Sequence, residues 1–221
     1  MKKYLKTRNG QSSMNENEQM DFWRGRFGDE YIERNSDDFD ESFKKKFGIT
    51  RTLLNKQFLS KLDRNTRILE VGCNIGKQLS LLNAIGFDNL WGIEINKKAL
   101  DIAKQNKNIN VIFGSATDIP FKDGFFDLVF TSGVLIHIPP DSLDKVMSEM
   151  HRATGRYIWG FEYFSEKLEE IEYRGNKNKL WKNDFSSLFL SKFSDLSLVK
   201  SEKIKYIGSD NVDAMYLLKK A

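Results

Sequence analysis

The stretch RILEVGCNIGKQLSLL, from Arg67 to Leu82, constrains the chain more than any other. Ile68, Leu69 and Val71 read as a buried strand, Gly72 and Gly76 bracket a turn, and leucines then recur at helical spacing. A strand that passes through glycines into a helix leaves backbone N–H groups unpaired beside the positive end of a helix dipole. A small ligand is expected there.

From position 67 onward, short strands alternate with helices, which argues for parallel βαβ units. Strands are predicted at 67–71, 89–95, 111–115, 126–132 and 157–163, and helices at 76–85, 97–105 and 142–153. After Glu162 the alternation gives way to a charged, irregular connection and then a helix, FSSLFLSKF. The runs 196–206 and 211–218 flank IGSDN and read as an antiparallel hairpin. Upstream, Phe22, Trp23, Phe27 and Tyr31 fall at helical spacing broken by Gly25 and Gly28, which predicts short helices with a bend. Residues 40–62 suit a helix that breaks near Gly48 and restarts with Thr50 as N-cap. The organisation expected is a frayed tail at 1–16, a helical cap at 17–64 and an α/β domain at 65–221.

Composition removes several function classes. Of 221 residues, 40% are apolar and 30% charged, which suits a globular protein with one large core. The 35 basic and 31 acidic residues are mixed along the chain, so a net charge of +4 does not build a nucleic-acid footprint. A single cysteine, Cys73, forbids an internal disulfide, and with only two histidines it cannot form a zinc site; no metal is expected. No apolar run nears the roughly 18 residues of a membrane span and no export signal is read, so the expectation is a cytoplasmic protein.

The turn is spaced G-x-N-x-G. A dinucleotide fingerprint requires G-x-G-x-x-G, and Lys77 stands where the third glycine belongs. Asn74 replaces the middle glycine tolerably, because Asn enters left-handed backbone space at low cost. Glu94 ends the second strand, where a carboxylate accepts ribose hydroxyls. After the third strand, Ser115, the Ala116 backbone and Asp118 are placed to meet the edge of an adenine, with Ile95 and Ile119 on its faces. TSGVLIHIPPDSL forms the opposite wall. Ribose is implied and pyrophosphate is not.

Taken in order, ILEVGCNIG, GIEIN, GSATDIPFKDGFFDLVFTSGVLIHI and the closing hairpin resemble the class I S-adenosylmethionine-dependent methyltransferases over about residues 65–220. EQMDFWRGRFGDEYIERN, Asn74-Ile75-Gly76, GVLIHI, FEYF and IEYRG…LWKNDF are similar, more narrowly, to methyltransferases associated with pseudaminic acid biosynthesis. The resemblance implies a Rossmann-like, doubly wound sheet of seven strands, mostly parallel, with an antiparallel C-terminal hairpin and an N-terminal helical cap. It implies S-adenosylmethionine as cofactor, with Gly72, Asn74 and Gly76 on its methionine and ribose side and Glu94 on the ribose. Ser115 and Ala116 fall at the adenine positions; many relatives carry Asp where Ser115 stands, so the N6 contact is expected either to be weaker or to come from Asp118. Glu70, Ile95 and Ser132 complete the cofactor set, and Trp23, Tyr31 and Arg34 are candidates to close over it. The acceptor implied is a small molecule, a sialic-acid-like sugar or sugar nucleotide.

Two residues are candidate bases. His137 follows the fourth strand at the cleft lip, where a neutral imidazole either accepts a proton from a hydroxyl or ties down its own loop. Glu162 is the second candidate. Tyr163, Tyr173, Arg174 and Trp181 are the residue types that hold a carboxylate-bearing sugar, or else belong to a solvated connection. Alternative readings are a protein or RNA acceptor, the RNA option disfavoured because Pro139-Pro140 lacks the context of an adenine N6 motif, and a non-catalytic cofactor-binding subunit.

Overall fold

The computed structural model describes residues 14–34 and 38–221. Most of the tail expected to fray lies outside the described residues, and helix α1 (Met14–Arg24) already begins within it. Helix α2 (Arg26–Arg34) follows after the bend at Gly25. Helix α3 (Phe39–Phe47) starts on the Asp38 side chain, which accepts from the Glu41 amide, and stops at Gly48, whose φ of 77° is left-handed. Thr50 then accepts from the Leu53 amide and starts α4 (Arg51–Leu59), as its position in the sequence predicts.

The α/β domain runs β1 (Ile68–Val71), α5 (Lys77–Ala84), β2 (Leu90–Glu94), α6 (Lys97–Ala103), β3 (Asn110–Phe113), β4 (Phe126–Ser132), α7 (Pro140–Ala153) and β5 (Thr154–Tyr163). A two-residue ladder, β6 (Glu169–Glu170) with β7 (Trp181–Lys182), corrects the reading of that connection as irregular; so short a pairing leaves no periodic pattern. Helix α8 (Phe185–Lys192), β8 (Leu196–Lys205) and β9 (Val212–Lys220) end the chain.

The seven-stranded sheet has the order β3-β2-β1-β4-β5-β9-β8. Strands β1 to β5 pair in parallel, while β9 runs antiparallel between β5 and β8. This is the doubly wound, mostly parallel sheet with a C-terminal hairpin that the sequence predicts. All four residues of β1 are buried, as expected of a central strand covered on both faces. Ile68 packs with Leu54, Phe58 and Leu79 on one face, and Leu69 and Val71 pack with Val146, Met147 and Ile158 on the other. Strand order reverses between β1 and β4, the crevice in which open α/β sheets bind ligands. Among the described residues, no helix is long and apolar enough to cross a membrane.

Candidate functional site

The turn after β1 is tight: Gly72, Asn74 and Gly76 have φ of 74°, 47° and 78°. A Cβ at Gly72 would lie 2.8 Å from Val134 Cγ2, so the missing side chain lets the loop after β4 close against the turn. The expectation of free amides is corrected. Gly72 and Cys73 both donate to Ile93 O, at 2.9 and 3.0 Å, and the Ile75 amide donates to the Asn74 side chain at 2.7 Å. Asn74 donates to Glu94 Oε2 at 2.8 Å. The neighbouring strand satisfies the turn, which offers a ligand space more than donors.

Glu94 is 8% exposed. Its other oxygen accepts from the amides of Ile95 and Asn96, both at 2.8 Å. Burial raises its pKa and the three N–H bonds pull it back. Three of about four acceptor positions on the carboxylate are therefore used, leaving room for about one ribose hydroxyl where the sequence reading placed two.

Two chambers meet at the turn. The first, of about 160 Å³, has Glu94, Ile95, Ser115, Ala116 and Thr117 in its wall. Ser115 Oγ lies 3.0 Å from Thr117 Oγ1. Thr117 takes the place in this wall that the sequence reading gave to Asp118, and neither Asp118 nor Ile119 lines it. The second chamber, of about 420 Å³, contains Arg34, Lys46, Arg51, Tyr163, Tyr173 and Arg174. Both share Tyr31, Gly72, Asn74, Ser132, Gly133 and His137.

Helices α1 and α2 roof the first chamber with Gln19, Met20, Trp23 and Tyr31. Asn96 fastens them: its side-chain nitrogen donates to Trp23 O at 3.1 Å and Asp29 Oδ1 at 2.9 Å, while its oxygen caps α6 by accepting from the Ala99 amide at 2.8 Å. Gln19 Nε2 donates to His137 O at 2.6 Å, and the Trp23 ring lies 4.5 Å from that of His137. Asn96 and Gln19 were not singled out from the sequence, although an Asn directly before the helical run KKAL is a cap signal.

His137 is buried, and its Nδ1 lies 2.7 Å from Lys179 O. A carbonyl oxygen only accepts, so Nδ1 carries the proton and Nε2 keeps the lone pair. Burial lowers the pKa to about 4, so the ring is neutral near pH 7. Glu162 lies elsewhere: its carboxylate accepts from the amides of Val134 and Ile136, at 3.2 and 3.4 Å, and lines neither chamber. It holds the loop on which His137 sits, and burial pushes its pKa up to about 7. Trp181 is buried against the ladder of β6 and lines neither chamber.

Sequence reasoning missed Arg51 and Gln78. Arg51 is fully buried, with its guanidinium 4.1 Å from the Phe161 ring centroid. Nε donates to Asn55 Oδ1 at 3.1 Å and Nη2 to Ser132 Oγ at 3.2 Å, while Nη1 has no partner among the described residues. Burial lowers its pKa to about 9. Glu70 Oε2 and Gln78 Oε1 in the same chamber are also unpartnered, and burial raises the Glu70 pKa well above the usual range. Buried polar atoms are rarely left alone. These three are one donor and two acceptors, the complement of the carboxylate and ammonium of an α-amino acid. With the narrower first chamber beyond Glu94, the donor set fits the methionine and adenosine ends of S-adenosylmethionine.

Residues 69–159 match the family model of a methyltransferase domain. The chain is 34% identical over 87 residues to an uncharacterized methyltransferase of Synechocystis, covering 39% of this chain and 41% of that one. It spans about half the length of the first curated relatives it matches. Among solved structures, the magnesium protoporphyrin IX methyltransferase of Synechocystis with bound S-adenosylmethionine superposes with a TM-score of 0.67 at 13% identity, covering 96% of this chain and 100% of that one. The 1,6-didemethyltoxoflavin-N1-methyltransferase of Burkholderia thailandensis, bound to its substrate and S-adenosylhomocysteine, gives 0.71 at 12% identity, covering 97% and 93%. At these identities the superpositions establish a shared fold.

Proposed function

We propose that this protein, built around a methyltransferase domain at residues 69–159, transfers a methyl group from S-adenosylmethionine to oxygen or nitrogen of a small, sugar-derived acceptor. The observation that carries the reading is the set of buried polar atoms without a partner among the described residues, Arg51 Nη1 with Glu70 Oε2 and Gln78 Oε1, in a chamber that joins a second one at the Gly72–Asn74 turn. When bound, the cofactor supplies a methyl group on a sulfonium, activated for in-line displacement.

The chain's own residues position and desolvate. Arg51 holds a carboxylate, Glu70 and Gln78 an ammonium, Glu94 a ribose hydroxyl, and Ser115 and Thr117 the edge of a base. Helices α1 and α2 exclude water from the first chamber, which strengthens each of these contacts. His137 lines both chambers, and Nε2 is its unprotonated nitrogen. A base with a pKa near 4 is weak, but it serves where methylation has made the departing proton strongly acidic.

The second chamber supports the acceptor class. Arg34, Lys46 and Arg174 supply positive charge, and Tyr31, Tyr163 and Tyr173 supply ring faces and hydroxyls. This combination suits an anionic polyol, in line with the resemblance to pseudaminic-acid-associated methyltransferases. The test is mass spectrometry of nine-carbon sugar acids and sugar nucleotides incubated with protein and S-adenosylmethionine. A gain of one methylene on one of them is expected. Cofactor binding without transfer to any of them would favour a non-catalytic cofactor-binding subunit or a protein or RNA acceptor.

A further inference from the structure

One buried carboxylate has no part in the chemistry so far. Asp213 lies at the start of β9, opposite Tyr163 of β5, and lies in the wall of the second chamber. It is 1% exposed, and among the described residues the Tyr206 hydroxyl is the one hydrogen-bond donor acting on its carboxylate, from a poorly aligned position.

The groups acting on it come from five elements: Lys46 of α3, Arg51 of α4, Tyr163 of β5, Lys182 of β7 and the Tyr206 hydroxyl just after β8. The Lys46 ammonium sits 4.2 Å from the Tyr206 ring centroid and 5.3 Å from that of Tyr163. Lys182 is engaged with Asn211 Oδ1 at 2.9 Å. The carboxylate thus lies among cations, with the Tyr206 hydroxyl as the one hydrogen-bond donor acting on it among the described residues, so most of its acceptor positions remain open to additional donors. Three cations repel an incoming ammonium, so neutral hydroxyls are the matching donors.

In the sheet, β9 lies two strands beyond β4. Ser132 is in register with Phe161 and Phe161 with Met215, so Asp213 lies two strands across and two residues along, about 12 Å from Ser132 at the end of β4. That is the far end of an acceptor whose near end lies at Ser132 and His137.

We propose that Asp213, flanked by Lys46 and Tyr163, is a specificity subsite that accepts hydrogen bonds from a pair of hydroxyls at the distal end of the acceptor. It rests on the sugar-acceptor reading above. A buried acceptor group built for hydroxyls strongly rejects ligands that lack them.

The test uses two probes in calorimetric titrations, with and without S-adenosylhomocysteine. One is N-acetylneuraminate; the other is its seven-carbon derivative, made by periodate cleavage and borohydride reduction, which lacks the terminal diol. Wild-type protein is expected to bind the full-length acid about tenfold to a hundredfold more tightly than the truncated one, and Asp213→Asn to abolish that difference. The comparison within wild type decides the question even if the variant fails to fold. Equal affinity for both probes, an undiminished preference in Asp213→Asn, or no binding of N-acetylneuraminate overturns the subsite. Failure of wild type to bind S-adenosylhomocysteine is a separate result against the cofactor assignment, and the titrations without it still decide the subsite.

Discussion

Glu94 does two jobs at once, and its substitution separates them poorly. Glu94→Ala removes the proposed ribose contact and also strands the amides of Asn74, Ile95 and Asn96. The expected result is a loss of about 2 to 4 kcal/mol in urea unfolding together with S-adenosylhomocysteine affinity weakened by about tenfold to a hundredfold in calorimetry. Gly72→Ala is expected to cost about 1 to 3 kcal/mol in the same unfolding assay, because φ is 74° and the new methyl would meet Val134 Cγ2 at 2.8 Å. Wild-type stability in Gly72→Ala would contradict the close approach of the β4 loop. At this scale the sequence was informative where a residue type is tied to a turn or a strand end, as at Gly72, Asn74 and Glu94. It was silent at Arg51, Gln78 and Asp213. An arginine opening a helix reads as a surface residue, and only the packing of α3 and β5 around it makes it a buried cation.

Elements were legible in proportion to their punctuation. Gly48 and Thr50 mark the break between α3 and α4 in the sequence itself, whereas β6 and β7 are too short to carry a pattern. The roof formed by α1 and α2 was readable as helices, but the fastening was not, since it comes from Asn96 in a distant loop. Asn96→Ala removes the α6 cap and both bonds to the roof, and is expected to destabilise by about 1 to 2 kcal/mol. Amide exchange over residues 19–34 is expected to speed up along with that of α6. Faster exchange in α6 alone would show that Asn96 does not hold the roof.

Across the whole molecule, buried titratable groups set opposing pH trends. Glu162 has a pKa of about 7 when folded against an ordinary 4.5. Between those values the native state holds a proton that the unfolded chain has released, so stability falls as pH rises. Asp213, at about 6, acts in the same direction. His137, at about 4 against 6.5, acts oppositely: its contribution is lost as pH falls through that window. Glu162→Gln is expected to lose about 1 to 3 kcal/mol less than wild type between pH 5 and pH 8 in urea unfolding. Parallel pH profiles for the two proteins would contradict the burial of an ionisable Glu162.

The overall architecture was the most legible feature, because alternating strands and helices admit few arrangements. The cavity was less so, since its walls come from helices α1 to α4, the loop after β4 and the start of β9 together. The most direct measurement is a crystal structure of the protein soaked with S-adenosylhomocysteine. The expected result places adenosine in the chamber beyond Glu94, with a ribose hydroxyl on that carboxylate and the amino-acid carboxylate on Arg51 Nη1. A ligand bound outside the two chambers, or one whose carboxylate leaves Arg51 unpartnered, would contradict the assignment of this cleft to an adenosyl sulfonium.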